Sequence, residues 1–216
     1  NKIQAQSSYD QTLNRLSAGM STQAQVLSAR EAVTSADASL LSAQSSLGQT
    51  KETLCLMLGW TYGAQVDIGD VPEPDLEGMA AINLDEDVSR GVENNYSLKI
   101  LEKKIANAKS GTNKTSLEQS LKSQKETAAS SIKNAYESMM ISKSDYEQAL
   151  NAYEIEAAAM ETAERKMAAG TITRNDYVTQ QTAFAAAQVN VRTQKLALLK
   201  AQLEYRWSVD GLASVS

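Results

Sequence analysis

"VLSAREAVTSADASLLSAQSSLGQTKETLCLM", residues 26–57, decides how the rest of the chain is read. Counting in sevens from Val26 gives Val33, Leu40, Leu47 and Leu54. Three residues beyond each stand Ala29, Ala36, Ala43, Thr50 and Met57. Large side chains at one seam position and mostly small ones at the other predict a long helix with a narrow coiled-coil stripe.

The pattern recurs 151 residues later in the same register. Tyr177, Phe184, Val191, Leu198 and Tyr205 take the large positions, and Gln180, Ala187, Gln194, Ala201 and Ser208 the others. The same offset carries Gly19 to Gly170, Leu16 to Met167 and Tyr9 to Met160, so the turn before each long helix repeats as well. Upstream of Gly170 a stripe of Met167, Met160, Tyr153, Tyr146, Met139 and Ile132 steps back by sevens. Heptad seams are apolar by construction, so this Met and Tyr stripe reads as core and not as a cofactor box.

An all-α fold follows, built of long antiparallel coiled-coil helical hairpins in two sequence-related repeats with an irregular connector. One helix runs to about Ala18 and turns at Gly19; the next runs from about Thr22 to Leu58, where Gly59 ends it. Residues 59–84 hold four Gly and both Pro and lose the heptads, with "AQVDI", residues 64–68, as a short strand or extended piece. A shorter helix is expected over Asp85–Lys109, broken by Gly111 in "SGTNKTS", residues 110–116. A long helix from about Leu117 to Ala168, the turn at Gly170 and a last helix to about Ser208 complete the chain. The domain plan is 1–58 as a first hairpin shortened on its N-terminal side, 59–84 as connector, and 85–216 as the second repeat. The opening "NKIQAQSSYD" lacks Met and already lies in a helical pattern, so a processed or excised fragment is expected.

Composition narrows the function. Among 216 residues 42% are apolar, enough for a core, while aromatics are 5% and Pro occurs twice, which favours helices over sheets. A net charge of −5, with no basic block or stacking aromatic run, argues against a nucleic-acid surface. The chain has no His, which removes His-based acid–base chemistry and His metal ligation. The single cysteine, Cys55, has no internal disulfide partner and reads as a small apolar residue on a helix. No run of about 18 apolar residues exists, so no helical membrane span is expected. Ala- and Ser-rich faces left over beside the seams can receive neighbouring hairpins closely, which favours oligomerisation.

The chemical motifs are absent. Carboxylates in "ESMMISKSDYEQ" and "YEIEAAAMETAER" sit at helix-surface spacings beside Lys or Arg, as solvated faces do. Asp85, Glu86 and Asp87 lie at a helix start, where acids suit the macrodipole, and they lack the alternation and internal Gly of a calcium loop. No phosphate loop, zinc spacing or nucleophile elbow is present. Neither enzyme activity, a cofactor nor a metal is expected.

Two stretches, "NRLSAGMSTQAQVLSAREAVTSADASLLSAQSSLGQTKETLCLMLG" and "ERKMAAGTITRNDYVTQQTAFAAAQVNVRTQKLALLKAQLEYRWSVDG", resemble the two repeats of the TolC-like outer-membrane efflux proteins. There a helix ends in a Gly turn, a Ser or Thr and a polar residue follow, and an Ala-rich helix runs to a Leu-Gly end. Gly19, Ser21 and Leu27 match in the first copy; Gly170, Thr173, Asp176 and Tyr177 match in the second. "DEDVSRGVENNYSLKILEKKIANAKS" is similar to the helix that opens the family's second repeat, where an Asn-Pro pair and a Leu are usual; here Asn95, Tyr96 and Leu98 stand.

The resemblance implies a homo-trimer whose hairpins close into an α-helical tube, an exit duct in the cell envelope outside the cytoplasm. It implies a membrane-fusion adaptor docked at the hairpin tips, and through it an inner-membrane pump. Gly19, Ser21, Thr22, Gly170, Thr171 and Thr173 are then the docking residues; they also turn the chain and cap the next helix. Asp176 could form an acidic ring at the pore mouth or cap the helix starting at Thr173. One departure is plain: family members insert membrane strands after the helix ending near Lys109, and seven residues here are too few for a strand of about 9 to 11. A barrel-less member or a shortened loop is implied. Two alternatives stand beside this one. "LNRLSAG", residues 13–19, is similar to a flagellin amino-terminal stretch, which suggests a filament or scaffold protein but leaves the recurrence unexplained. A non-assembling coiled-coil interaction module is the other.

Overall fold

The computed structural model describes residues 2–61, 63–64, 67, 69–109 and 111–212. The described residues form helices and connections, with no strand. In chain order the helices are α1 (Lys2–Ser17), α2 (Gln23–Met57), α3 (Leu76–Ala80), α4 (Leu84–Asn94), α5 (Tyr96–Asn107), α6 (Gly111–Ala168) and α7 (Arg174–Val209). The extended piece expected at 64–68 falls mostly outside the described residues.

Chain contacts divide the molecule into two units, residues 1–70 with 152–188, and residues 71–151 with 189–216. In the first unit α1 lies against α2. Val26 is buried and Ala29, Val33 and Ala36 are half-buried, so the first part of the α2 seam is covered. Lys2 of α1 pairs with Asp37 at 2.7 Å and marks how far that cover reaches. Past Asp37 the seam stays in register but lies open, with Leu40, Leu47 and Leu54 all exposed. Cys55 is buried near the end of α2, where the chain folds back and the Gly63 amide donates to Glu52 Oε2 at 3.1 Å. The same unit pairs the end of α6 with the start of α7. Tyr153 stacks on Phe184 with ring centroids 5.4 Å apart, Gln180 Nε2 donates to Glu156 Oε2 at 2.6 Å, and Met160, Ala163 and Val178 are buried.

In the second unit the core gathers Ile132, Met139 and Tyr146 of α6, Leu198, Ala201, Tyr205 and Val209 of α7, and Met79 of α3. Each large side chain buried there is worth about 1.5–3 kcal/mol. The i, i+7 steps of the sequence stripe are thus inward-facing positions of α6 and α7.

Three features of this unit correct the sequence expectation. The helix expected over Asp85–Lys109 is two helices, α4 and α5, broken at Asn95 (φ −58°, ψ 119°). Asn95 is buried, and its Oδ1 accepts the Leu98 amide at 3.1 Å, so it caps α5. The Tyr96 amide is drawn to the Gly211 carbonyl at 3.4 Å and leaves the α4 ladder. The second correction is Gly111, which does not break a helix but begins α6. Thr115 and Ser120 hydroxyls donate to the carbonyls four residues back at 3.0 Å, so these polar residues join the helix. Thirdly, the connector holds a short helix, α3, capped by Asp75 Oδ1 on the Gly78 amide at 2.8 Å.

Side chains tie the pieces of this unit. The Tyr205 hydroxyl donates to Asp87 Oδ2 at 2.6 Å, Tyr136 packs on Tyr205 with centroids 5.8 Å apart, and Gln202 Nε2 donates to the Asp75 carbonyl at 3.1 Å. Lys195 pairs with Glu73.

Candidate functional site

Two five-residue turns, 18–22 and 169–173, hold the candidate docking residues, and both belong to the first unit. Each is entered by a left-handed glycine. Gly19 has φ 75° and Gly170 φ 68°, and a Cβ at either position would meet nothing within 4 Å. The backbone conformation, and not crowding, therefore asks for glycine.

The hydrogen bonds that end α1 and α6 are the same. Gly19 and Met20 amides donate to Leu16 and Arg15 carbonyls at 2.9 and 2.8 Å; Gly170 and Thr171 amides donate to Met167 and Lys166 at 3.0 and 2.9 Å. This is the Schellman arrangement, which satisfies the last free carbonyls of a helix. At the second turn the Thr171 hydroxyl also donates to the Lys166 carbonyl at 3.0 Å.

The following helices begin alike too. At α2 the Thr22 hydroxyl accepts the Gln25 amide at 3.3 Å while Gln25 Oε1 accepts the Thr22 amide at 2.9 Å, a reciprocal capping box. At α7 Thr173 Oγ1 accepts the Asp176 amide at 3.1 Å, and Asp176 Oδ2 accepts both the Thr173 amide at 3.1 Å and its hydroxyl at 2.7 Å. Those bonds, the side-chain one first and the backbone one second, hold the Asp176 carboxyl below the usual aspartate value. Of the two roles left open for Asp176, the cap is the one its hydrogen bonds perform.

Sequence reasoning passed over Gln25. Thr22-x-x-Gln25 is the capping-box spacing, and the offset of 151 from Gln25 to Asp176 would have found it. Ser21 is drawn in as well, its hydroxyl donating to Gln25 Oε1 at 2.8 Å. Met20, 67% exposed, is the one large apolar side chain displayed by the first turn, and the second turn has Thr171 at the equivalent place.

The geometry gathers Gly19, Ser21 and Thr22 in one turn and Gly170, Thr171 and Thr173 in the other. All are exposed except Ser21, which is half-buried. A direct tie joins α1 to α7: the Ser8 hydroxyl, in the middle of α1 and well before the first turn, donates to Asn175 Oδ1 in the first turn of α7 at 3.4 Å. Among the described residues no three His, Cys, Asp or Glu come together as a metal site, and no helix is long and apolar enough to cross a membrane. What the turns present is a surface bearing the hydroxyls of Ser21, Thr22, Thr171 and Thr173.

No protein-family model matches the chain, and no curated protein matches it.

Proposed function

We propose that the chain is a component of a TolC-like α-helical duct, built of coiled-coil hairpins in two sequence-related repeats, that docks a membrane-fusion adaptor through turns 18–22 and 169–173. The observation that carries this reading is the equivalence of the two turns. A Schellman end, a left-handed glycine and a reciprocal threonine cap recur at one constant offset. A chain that only needed to reverse direction twice has many turn chemistries open to it. Two copies of one exposed turn suit a partner that binds the same shape twice. The open α2 seam beyond Asp37 supports assembly, because exposed Leu40, Leu47 and Leu54 at heptad spacing suit further helices of a homo-trimer. In this reading the protein works in the cell envelope outside the cytoplasm, and the adaptor links it to an inner-membrane pump.

Disulfide cross-linking tests the docking. Ser21→Cys and Thr173→Cys are introduced in a Cys55→Ala background and oxidised with single-cysteine variants of candidate adaptors' helical hairpins. Cross-links at both turns to the same adaptor segment are expected. A chain that cross-links at neither turn with any adaptor loses the assignment of its tips. Sedimentation analysis of the chain reports assembly, with a trimer expected and a concentration-independent monomer counting against the duct.

A further inference from the structure

Residues 99–114 hold five lysines, Lys99, Lys103, Lys104, Lys109 and Lys114, against one acid, Glu102. This short stretch is strongly positive in a chain whose net charge is −5. All five lysines are exposed. Among the described residues none of them has an ion-pair partner, whereas Glu102 is held by Lys125 of α6 at 2.9 Å.

The reversal between α5 and α6 concentrates this charge in space. An open cleft of about 560 Å³ lies there, and Ile100, Lys103, Lys104, Lys109, Asn113 and Leu117 line it. Lys99 sits one helical turn before Lys103 on α5, and Lys114 follows Asn113 on α6. Holding several like charges together without partners costs electrostatic energy, which an anionic surface relieves.

We infer that the α5–α6 turn rests on an anionic phospholipid surface. Clustered lysines of this number are what such a surface attracts, since each is a compact, hydrated point charge that meets headgroup phosphates without fixed geometry. Ile100, 38% exposed among the lysines, adds an apolar side chain that a bilayer interface accepts. Nucleic acid fits less well. From Ser97 to Ala135 there is no arginine for bidentate contacts, and the one aromatic residue on α5, the exposed Tyr96, stands at the helix start away from the Lys103–Lys109 cleft. This inference stands on the second unit alone and does not depend on adaptor docking at the turns of the first.

Vesicle flotation of the whole chain tests it. Binding to phosphatidylcholine vesicles containing phosphatidylglycerol is expected, with little to phosphatidylcholine alone, and rising salt should weaken it. The combined Lys103→Gln, Lys104→Gln and Lys109→Gln variant should lower partitioning about tenfold or more, with helicity unchanged by circular dichroism. Ile100→Ser, which keeps every charge, should lower it a few-fold. If the triple variant misfolds, the salt series on the unaltered chain decides. Equal binding to both vesicle types, salt-independent binding, or a folded triple variant that binds as well as the parent overturns the inference. So does tighter capture by duplex DNA or polyphosphate than by vesicles at matched phosphate.

Discussion

Thr173 and Asp176 bind each other through three hydrogen bonds, two of them ending on the same carboxylate oxygen. The ionised carboxylate is the stronger acceptor for both the amide and the hydroxyl at Oδ2, so these bonds favour the charged form. The charge also sits in the first turn of α7, where the helix macrodipole favours it.

A pH dependence of the second turn follows. The folded-state value of Asp176 is depressed, so its stabilisation is present above the ordinary aspartate range and is lost as pH falls through the lowered value. Carboxyl NMR should show Asp176 titrating below the free aspartate value of about 3.9. Amides at the start of α7 should lose exchange protection over the same interval, and Asp176→Asn should abolish that coincidence. A midpoint at or above the free value would remove the cap from the account of this turn.

Glycine substitutions should divide by sign. Gly19 and Gly170 occupy left-handed conformations with open space around them, so alanine there costs about 1–2 kcal/mol through backbone strain alone. Gly48 lies inside α2, also with open space, and has no positive φ. Alanine at Gly48 should stabilise by about 0.5–1 kcal/mol. Urea midpoints of the three variants read the difference directly, and a loss at Gly48 would show that α2 is packed where it is drawn as open.

Which parts were legible in the sequence depends on how local their causes are. The α2 boundaries came through because Thr22 and Gly59 act within one helical turn of themselves. Gly59 has φ 74°, and Trp60 and Gly59 amides donate to Cys55 and Leu56 carbonyls at 2.9 and 3.1 Å. The inward faces of α6 and α7 were legible because every seventh residue is apolar. The α4–α5 break was not. Leu84, Leu98 and Ile105 stay in step by sevens across Asn95, and the group that opens the ladder, the Gly211 carbonyl, comes from the far end of the chain. The docking role proposed for the turns has no chemical signature, since the hydroxyls of Ser21, Thr22, Thr171 and Thr173 also have structural partners; repetition is the signal behind that proposal.

The place where Gly211 meets α4 and α5 should be intolerant of added volume. A Cβ on Gly211 would lie 2.5 Å from the Asn94 carbonyl carbon and oxygen, backbone atoms that cannot rotate away, at a φ of 83°. On Gly91 it would lie 2.5 Å from Ile132 Cδ1, the end of a side chain, with backbone atoms of Ser208 and Val209 farther off at 3.1 and 3.2 Å. Gly91→Ala should therefore cost about 1–3 kcal/mol, and Gly211→Ala more. Denaturant unfolding orders the two, and the reverse order would mean that the α4–α5 break does not seat on Gly211.

Tyr205 and Asp87 should make the second unit sensitive to alkali. Burial first, then the hydrogen bond to Asp87, raises the tyrosine well above its usual value, because an ionised phenolate would face the carboxylate it now donates to. Asp87 keeps a second partner in Arg90 at 2.6 Å, so removing the hydroxyl does not strand the charge. Tyr205→Phe should cost about 1.5–3 kcal/mol at neutral pH, the usual range for a hydrogen bond to a charged group, and nearer the lower end for that reason. The sign with pH follows from the raised value: the contribution is fully present below the unfolded tyrosine value of about 10 and falls as pH climbs beyond it. Urea midpoints of the parent and the phenylalanine variant, compared from neutral pH to strong alkali, should converge as the parent alone loses this bond. A gap that stays constant across that range would mean that the hydroxyl is not what joins α4 to α7.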